Sequence, residues 1–230
     1  MKKVVVLTGA GISAESGIKT FRDSGGLWEE VDINEVATPE GWKKNPARVL
    51  EFYNLRRKQV LDAKPNAGHL ALAELENVFD VQVITQNIDN LHERAGSKKV
   101  LHLHGEVTKS RSSLDPGLIY EIEGWQLDIG DKCSKGSQLR PHIVWFGELV
   151  PNMELAYRMA SEADIFIVVG TSLNVHPAAG LVHYAPEQAL KFFVDPNPAG
   201  VEGIQHLELI QEKAGKGLPT LVRKLLSESH

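Results

Sequence analysis

Cysteine is almost absent from this 230-residue sequence, where Cys133 stands alone. One thiol cannot form an intramolecular disulfide, so the core has to hold the fold, and the composition suits a reducing compartment. Long apolar runs are missing too. None approaches the roughly 18 residues that mark a membrane-spanning helix, and the chain opens straight into an apolar β-branched segment with no room for a leader. A cytoplasmic protein without a membrane role is expected. Nor is there an excess of positive charge: 25 Lys and Arg against 30 Asp and Glu give a formal net charge of −5. That leaves no basic surface for nucleic acid or anionic lipid, and does not repel a cationic, lysine-rich substrate. Internal repeats and low-complexity segments are absent. What remains is ordinary globular material, 42% hydrophobic and 24% charged, long enough for one large core with a small insertion.

Four apolar runs read as parallel core strands: Val4 to Thr8, Val81 to Thr85, Ile165 to Gly170 and Leu190 to Asp195. Helical patterns separate them. Pro46 to Ala63 has proline near its first position, Asn66 to Asn77 starts on a good N-cap, and Pro151 to Ala163 and Gly217 to Ser227 follow. The alternation predicts an α/β fold, a doubly wound parallel Rossmann-like sheet. From about Val107 to Leu139 that rhythm stops. Tyr120-x-Ile122, then Gly124, then Trp125-x-Leu127-x-Ile129 alternates with period two, which predicts a β-hairpin with one apolar face. The expected organisation is a single unit. Its nucleotide-binding domain takes residues 1–31, 65–106 and 140–230, with a helical insertion at 32–64 and a small hairpin module at 107–139.

Candidate site residues cluster at strand ends. Gly9-x-Gly11-x-x-Ala14 after the first strand is the setting in which backbone approaches a pyrophosphate at a helix N-terminus; the same spacing also serves an ordinary strand-to-helix turn. The pattern then breaks at Gly17 and passes into Thr20-Phe21-Arg22 and Gly25-Gly26, a loop suited to folding over a bound nucleotide. Gln86, Asn87 and Asp89 follow a buried strand at the sheet edge where such folds bind ligands, although Asn87 or Asp89 could equally cap a helix. Gly170, Thr171 and Ser172 occupy the equivalent edge of a later strand. His102 and His104, two apart in a strand, face one side. As joint metal ligands they would need a further histidine or carboxylate at supporting spacing, and none stands out; a hydrogen-bonded imidazole is the other reading. Val49, Phe52, Tyr53, Arg56 and Val60 form one helical stripe. Arg56 thus stands where an apolar residue is expected and calls for an anionic partner, unless that rim is exposed and the side chain snorkels. Tyr53 and Arg56, three apart, can meet one ligand. Arg57, on another face, reads as solvated.

Longer motifs carry a family resemblance. Residues Gly9 to Trp28, Thr85-Gln86-Asn87-Ile88-Asp89-Asn90-Leu91-His92, Leu103-His104-Gly105, Leu139-Arg140-Pro141-His142-Ile143-Val144-Trp145-Phe146-Gly147-Glu148 and Val169-Gly170-Thr171-Ser172-Leu173 resemble, in order, motifs of the sirtuin family of NAD-dependent protein deacylases. They span nearly the entire chain. The resemblance implies NAD as cofactor. From the first motif it would be held by Gly9, Ala10, Gly11, Ser13, Ala14, Glu15, Thr20, Phe21, Arg22 and Trp28. Gln86, Asn87, Ile88 and Asp89 would contribute from the second, and His104, Gly170, Thr171, Ser172, Asp195 and Ala214 from elsewhere. Asp195 departs from the asparagine common in the family; it can accept from a ribose hydroxyl but cannot donate. The catalytic group would be His104 as general base, with Asn87 and Asp89. An imidazole suits that task because it titrates near the operating pH.

An acyl-lysine protein or peptide would lie between Val144, Trp145, Phe146, Gly147 and Glu148 on one side and Leu173-Asn174-Val175 on the other, by β-strand addition. The implied products are nicotinamide, free lysine and O-acyl-ADP-ribose, with Phe21 and Arg22 helping to exclude water. Phe52-Tyr53-x-x-Arg56-Arg57 resembles the sirtuin class that removes succinyl, malonyl and glutaryl groups, in which the tyrosine and arginine bind the distal carboxylate. Most sirtuins hold a structural zinc on two Cys-x-x-Cys pairs in the inserted module. The aligned positions here are Ser112, Asp115, Cys133 and Gly136, one thiol of four, so zinc is not expected. The apolar face of the hairpin would stand in for it, and Cys133 would not be a nucleophile. A monomer is expected. The competing readings are a mono-ADP-ribosyltransferase and a non-catalytic module that binds NAD or ADP-ribose.

Overall fold

Residue-by-residue alternation builds the centre of the molecule. In the computed structural model, which describes residues 1–20, 31–171, 173, 176–198, 201 and 203–228, strand β1 (Lys3–Thr8) sends Val4 and Val6 into one apolar layer and Val5 and Leu7 into the other. All four are fully buried, as a strand covered on both faces requires. β2 (Asp80–Thr85) and β7 (Ile165–Val169) pair with β1 in parallel on its two sides. β3 (Val100–His102) extends the sheet beyond β2, and β8 (Leu190–Val194) and β9 (Leu207–Ile210) extend it beyond β7. The order β3-β2-β1-β7-β8-β9, parallel throughout, is doubly wound. It reverses direction between β1 and β7, and the crevice at such a reversal is where these sheets bind ligands.

Helices cover both faces. Over the first layer lie α5 (Ala67–Leu75), through Ala71, Leu72 and Leu75, and α8 (Ala214–Ser227), through Leu218, Leu221, Val222 and Leu225. Over the second lie α7 (Met153–Ser161), through Met153, Ala156 and Ala160, and a 3₁₀ segment, Ala178–Tyr184, through Leu181 and Val182. Caps fix the starts: Asn66 accepts the Gly68 N–H at 2.9 Å, and Asn45 accepts the Arg48 N–H at 3.1 Å ahead of Pro46. The last helix begins three residues before the Gly217 start read from sequence, because Gly217 N–H already closes a turn onto the Lys213 carbonyl at 2.8 Å.

The remaining elements converge on one helix. α4 (Pro46–Asp62) follows α2 (Ile33–Val36) and α3 (Pro39–Lys44), while α1 (Ala10–Ala14) and α6 (Leu91–Ala95) are single short turns at the strand ends. A separate antiparallel sheet, order β5-β4-β6, contains β4 (Gly105–Ser112), β5 (Ile119–Glu121) and β6 (Leu139–Ile143). A third apolar cluster joins them: Val49, Phe52, Tyr53 and Val60 of α4 pack with Val107 of β4, Ile143 of β6, Trp145, Ile88 and Leu91.

Two expectations are corrected here. The hairpin across Gly124 does not form. Only Ile119–Glu121 is a strand, and its partner is β4, not the segment 125–129. The backbone of that segment is already engaged: Arg57 donates to the Trp125 carbonyl at 2.7 Å, and Asn54 exchanges hydrogen bonds with both main-chain groups of Leu127 at 3.0 and 3.1 Å. Its apolar face is likewise missing, since Leu127 is buried whereas Ile129 is 57% exposed. Arg57 is the second correction. It is fully buried, donating also to the Val107 carbonyl at 2.6 Å and to Asn54 Oδ1 at 2.7 Å, so its face of α4 is an internal contact with the small sheet.

Candidate functional site

The switch-point crevice is built by backbone contact that only glycine permits. Gly9 N–H donates to the Val169 carbonyl at 3.0 Å and Gly11 N–H to the Gly170 carbonyl at 2.8 Å. A Cβ on Gly9 would fall 2.7 Å from the Gly170 oxygen, and one on Gly11 2.7 Å from the Gly170 Cα. Gly170 itself has φ +60°, and a Cβ there would collide with the Ile12 nitrogen. Three glycines from two motifs thus press the β1 and β7 turns together.

Polar groups of the β2 turn complete this wall. Asn87 Nδ2 donates to the Gly9 carbonyl at 3.0 Å and to Ser13 Oγ at 3.1 Å, and Ser13 Oγ passes a hydrogen bond to Asp89 Oδ2 at 2.9 Å. Asp89 Oδ1 accepts the Leu91 N–H at 3.1 Å. Burial raises the Asp89 pKa, opposed by those two hydrogen bonds and by the charges of His102 and Arg56. Asn87 and Asp89 therefore join the glycine turn, and Asp89, the residue before the N-cap Asn90, also accepts the first N–H of α6. Gln86 reaches Thr171 Oγ1 at 3.3 Å across the crevice. Beneath, Thr8, Thr85 and the fully buried His92 form a hydrogen-bonded floor.

The two histidines are held differently. His104 Nδ1 lies 3.0 Å from the Gln86 carbonyl oxygen. That oxygen only accepts, so Nδ1 carries the proton and Nε2 keeps its lone pair. Burial lowers the His104 pKa below the ordinary 6.5. His102 sits between two acceptors, the Asn87 carbonyl at Nδ1 (3.0 Å) and the Glu93 carboxylate at Nε2 (2.7 Å). Both nitrogens must then donate, and despite opposing desolvation this pair raises the His102 pKa. The metal-pair reading of His102 and His104 finds no support in that arrangement, since both His102 nitrogens are taken. No group of three or more His, Cys, Asp or Glu able to hold a metal occurs among the described residues.

α4 brings Tyr53 and Arg56 to the same region. Arg56, only 4% exposed, donates to the Lys19 carbonyl at 2.6 Å and to Gln59 Oε1 at 3.3 Å. It shares a small pocket with Ala10, Ser13, Ile18, Val60, Asn87, Ile88 and Asp89. Desolvation brings its pKa down to about 10, with Asp89 opposing the shift, so it stays cationic at neutral pH. The snorkelling alternative is therefore excluded. Tyr53 is buried, and its Oη accepts the Trp145 Nε1–H at 3.1 Å. A roomier groove lies on the opposite side of α4, between Leu50, Asn54 and Leu55 and the segment Trp125 to Ile129; it contains none of the residues above.

Other expected site residues are placed as follows. Val144 N–H donates to the His104 carbonyl at 3.0 Å, tying the segment 144–148 to His104. Phe146 and Gly147 are exposed and Trp145 is buried. Glu148 faces inward: its carboxylate takes Arg140 at 2.8 and 3.0 Å, Arg111 at 3.1 Å and the Trp145 N–H at 2.8 Å. Ala14 and Glu15 are exposed at the far end of α1, where Glu15 accepts the Gly215 N–H at 2.7 Å beside buried Ala214. Asp195, at the end of β8, accepts the Asn197 N–H at 2.8 Å. Ala10 and Thr20 are half-buried. Phe21, Arg22, Trp28, Ser172, Asn174 and Val175 lie outside the described residues. Sequence reasoning overlooked Arg140 and Glu93, which act on Trp145 and His102; both lie inside or beside the motifs, and only their partners in space reveal them.

The small sheet tests the zinc positions. Ser112 Oγ lies 2.8 Å from Ser137 Oγ, which lies 3.0 Å from Cys133 Sγ. Asp115 is paired with Lys135 at 2.7 Å. One thiol and two hydroxyls in mutual hydrogen bonds do not fit a tetrahedral zinc donor set.

A doubly wound sheet with an amide, a carboxylate and an imidazole gathered at its switch point defines a dinucleotide-binding protein of the Rossmann class. The chain belongs to the Sir2 family, whose pattern matches residues 9–177. It is 54% identical over 231 residues to an NAD-dependent protein deacylase of Bacteroides thetaiotaomicron, covering 98% of this chain and 99% of that one. Among solved structures it resembles a Sir2 homologue in complex with NAD (40% identity, TM-score 0.90, covering 100% of this chain and 91% of the other). It also resembles a Sir2 variant with a deacetylated p53 peptide and 3′-O-acetyl ADP ribose (32% identity, TM-score 0.81, 98% and 92%).

Proposed function

We propose that this protein is an NAD-dependent protein-lysine deacylase that prefers acyl groups ending in a carboxylate. The observation carrying the first half is the set of contacts around Asn87. That one amide bridges the Gly9 carbonyl and Ser13, while the neighbouring Gln86 carbonyl fixes His104 with Nε2 free. The residues fit NAD: glycine turns with no room for a Cβ accommodate its pyrophosphate, and Ser13, Asn87 and Asp89 offer amide, hydroxyl and carboxylate partners for carboxamide and ribose. Bound NAD supplies the ADP-ribosyl group that takes the acyl group, with nicotinamide as the leaving group. His104, held as the Nδ1–H tautomer, accepts a hydroxyl proton at Nε2. Asn87 and Asp89 orient the cofactor. The segment 144–148, anchored to the His104 carbonyl, positions the substrate backbone. Its Glu148 serves that segment from behind, not the substrate. Residues 1–31, 65–106 and 140–230 form the cofactor domain in this reading, with 32–64 and 107–139 as insertions.

The acyl preference rests on α4. A buried guanidinium and a buried phenol stand three residues apart, the guanidinium lining a pocket with Asn87 and Asp89, and this supports a cation and a hydroxyl that meet one anionic group. Methionine at position 56 keeps the volume and the helix propensity. With Arg56→Met, kcat/KM on a succinyl-lysine peptide is expected to fall roughly ten- to hundredfold, about 1.5–3 kcal/mol for a charge-assisted contact. An acetyl-lysine peptide should lose far less. Equal losses on both substrates would make Arg56 structural and end the acidic-acyl assignment.

A further inference from the structure

The Tyr53 hydroxyl has a direction imposed on it. An indole nitrogen can only donate, so the 3.1 Å bond from Trp145 Nε1 occupies a lone pair of Tyr53 Oη. The phenol's own proton is left to donate, yet no acceptor for it occurs among the described residues. A buried donor without an acceptor is costly, and in a ring only 3% exposed it points to an acceptor that arrives with a ligand. Burial also pushes the Tyr53 pKa upward, so the proton stays in place at neutral pH.

Trp145 is itself braced. The Arg140 guanidinium lies 3.3 Å from the centre of the indole ring, which polarises the ring and strengthens its N–H as a donor. Glu148 grips Arg140 through two bonds and takes the Trp145 backbone N–H. Trp42 packs against the indole at 5.9 Å between centroids. The path from Glu148 through Arg140 to Trp145 ends on one atom, Tyr53 Oη.

We propose that Trp145 is the positioning residue for acyl selectivity: by filling the acceptor side of the Tyr53 hydroxyl, its indole N–H makes Tyr53 an obligate donor toward an acyl tail ending in an acceptor-only carboxylate. This rests on the acidic-acyl reading above. It adds that selectivity is set from behind the contact residues, by a group that never touches the carboxylate.

The test is a double-mutant cycle in the full-length protein: wild type, Trp145→Phe, Tyr53→Phe and the double variant, each assayed for kcat/KM on succinyl-lysine and acetyl-lysine peptides. The ratio of the two substrates cancels losses common to both, such as looser backbone or weaker NAD binding. Trp145→Phe should lower the succinyl-to-acetyl ratio about three- to tenfold, the worth of one oriented hydrogen bond, and should leave it within about twofold once Tyr53 is already Phe. Replacing Trp145 with 3-benzothienylalanine, which keeps ring shape and deletes only the N–H, should give the same loss and covers the case of a misfolded Phe variant. A ratio unmoved by either replacement, or moved equally in both backgrounds, overturns the proposal. If Arg56→Met collapses the ratio while the Trp145 replacements do not, the acidic-acyl reading survives and this proposal alone fails. If Arg56→Met leaves the ratio intact, both fall.

Discussion

His102 and His104 are two residues apart and sit in opposite electrostatic situations. His102 faces a carbonyl and a carboxylate, which favour the imidazolium; His104 is desolvated beside a single carbonyl, which favours the neutral ring. For a general base the second situation is the useful one. A folded pKa below 6.5 keeps His104 unprotonated through neutral pH, and activity is lost only as the pH falls through that lowered value. The acid limb of kcat/KM is therefore expected below pH 6.5, and a limb centred at or above 6.5 would contradict the assignment. His104 could be singled out in the sequence because it stands directly before Gly105 in a recognisable motif. Its tautomer and its lowered pKa were not legible, since the first depends on the Gln86 carbonyl eighteen positions away and the second on burial. Asp89 shows the same limit: the sequence offers it as a ligand group or a helix cap, and only the structure shows one oxygen taken by Ser13 and the other by the Leu91 N–H.

Among the elements, α4 carries the most information and was half read. Its stripe Val49, Phe52, Tyr53, Arg56 and Val60 is buried throughout. A second stripe, Leu50, Asn54 and Arg57, has the same i, i+4, i+7 spacing and is buried as well, but two of its three residues are polar, and periodicity alone assigns polar residues to solvent. What makes them internal is the backbone they serve: the carbonyls of Val107, Trp125 and Leu127 and the amide of Leu127. The same bonds explain why the alternation from Tyr120 to Ile129 did not become a hairpin. Arg57→Met deletes three donor contacts at a fully buried position and leaves their acceptors desolvated. A stability loss of about 2–5 kcal/mol is expected, read from urea unfolding, together with faster amide exchange at Leu127. A loss under about 0.5 kcal/mol would show that the small sheet is held to α4 by other contacts.

For the whole molecule, the doubly wound sheet was the most legible feature. Its four central strands are runs of buried β-branched and apolar residues, and each lies within a residue of its sequence-read limits. The outer strands β3 and β9 were not read, being short and less buried, with Val100, Leu101, Leu207 and Ile210 half covered and Leu209 45% exposed; without double-sided burial an edge strand has little apolar signature. Among the described residues no helix is long and apolar enough to cross a membrane. The architecture brings the β1, β2 and β7 turns, His104 and the segment 144–148 to one sheet edge, and the central claim is that this edge transfers an acyl group from lysine to the ADP-ribose part of NAD. The most direct test is mass spectrometry of all products after incubating the protein with NAD and a succinyl- or acetyl-lysine peptide. The account predicts free-lysine peptide, nicotinamide and O-acyl-ADP-ribose in equal amounts. Nicotinamide release with ADP-ribose attached to protein and the acyl-lysine intact, or NAD binding with no product at all, would contradict it.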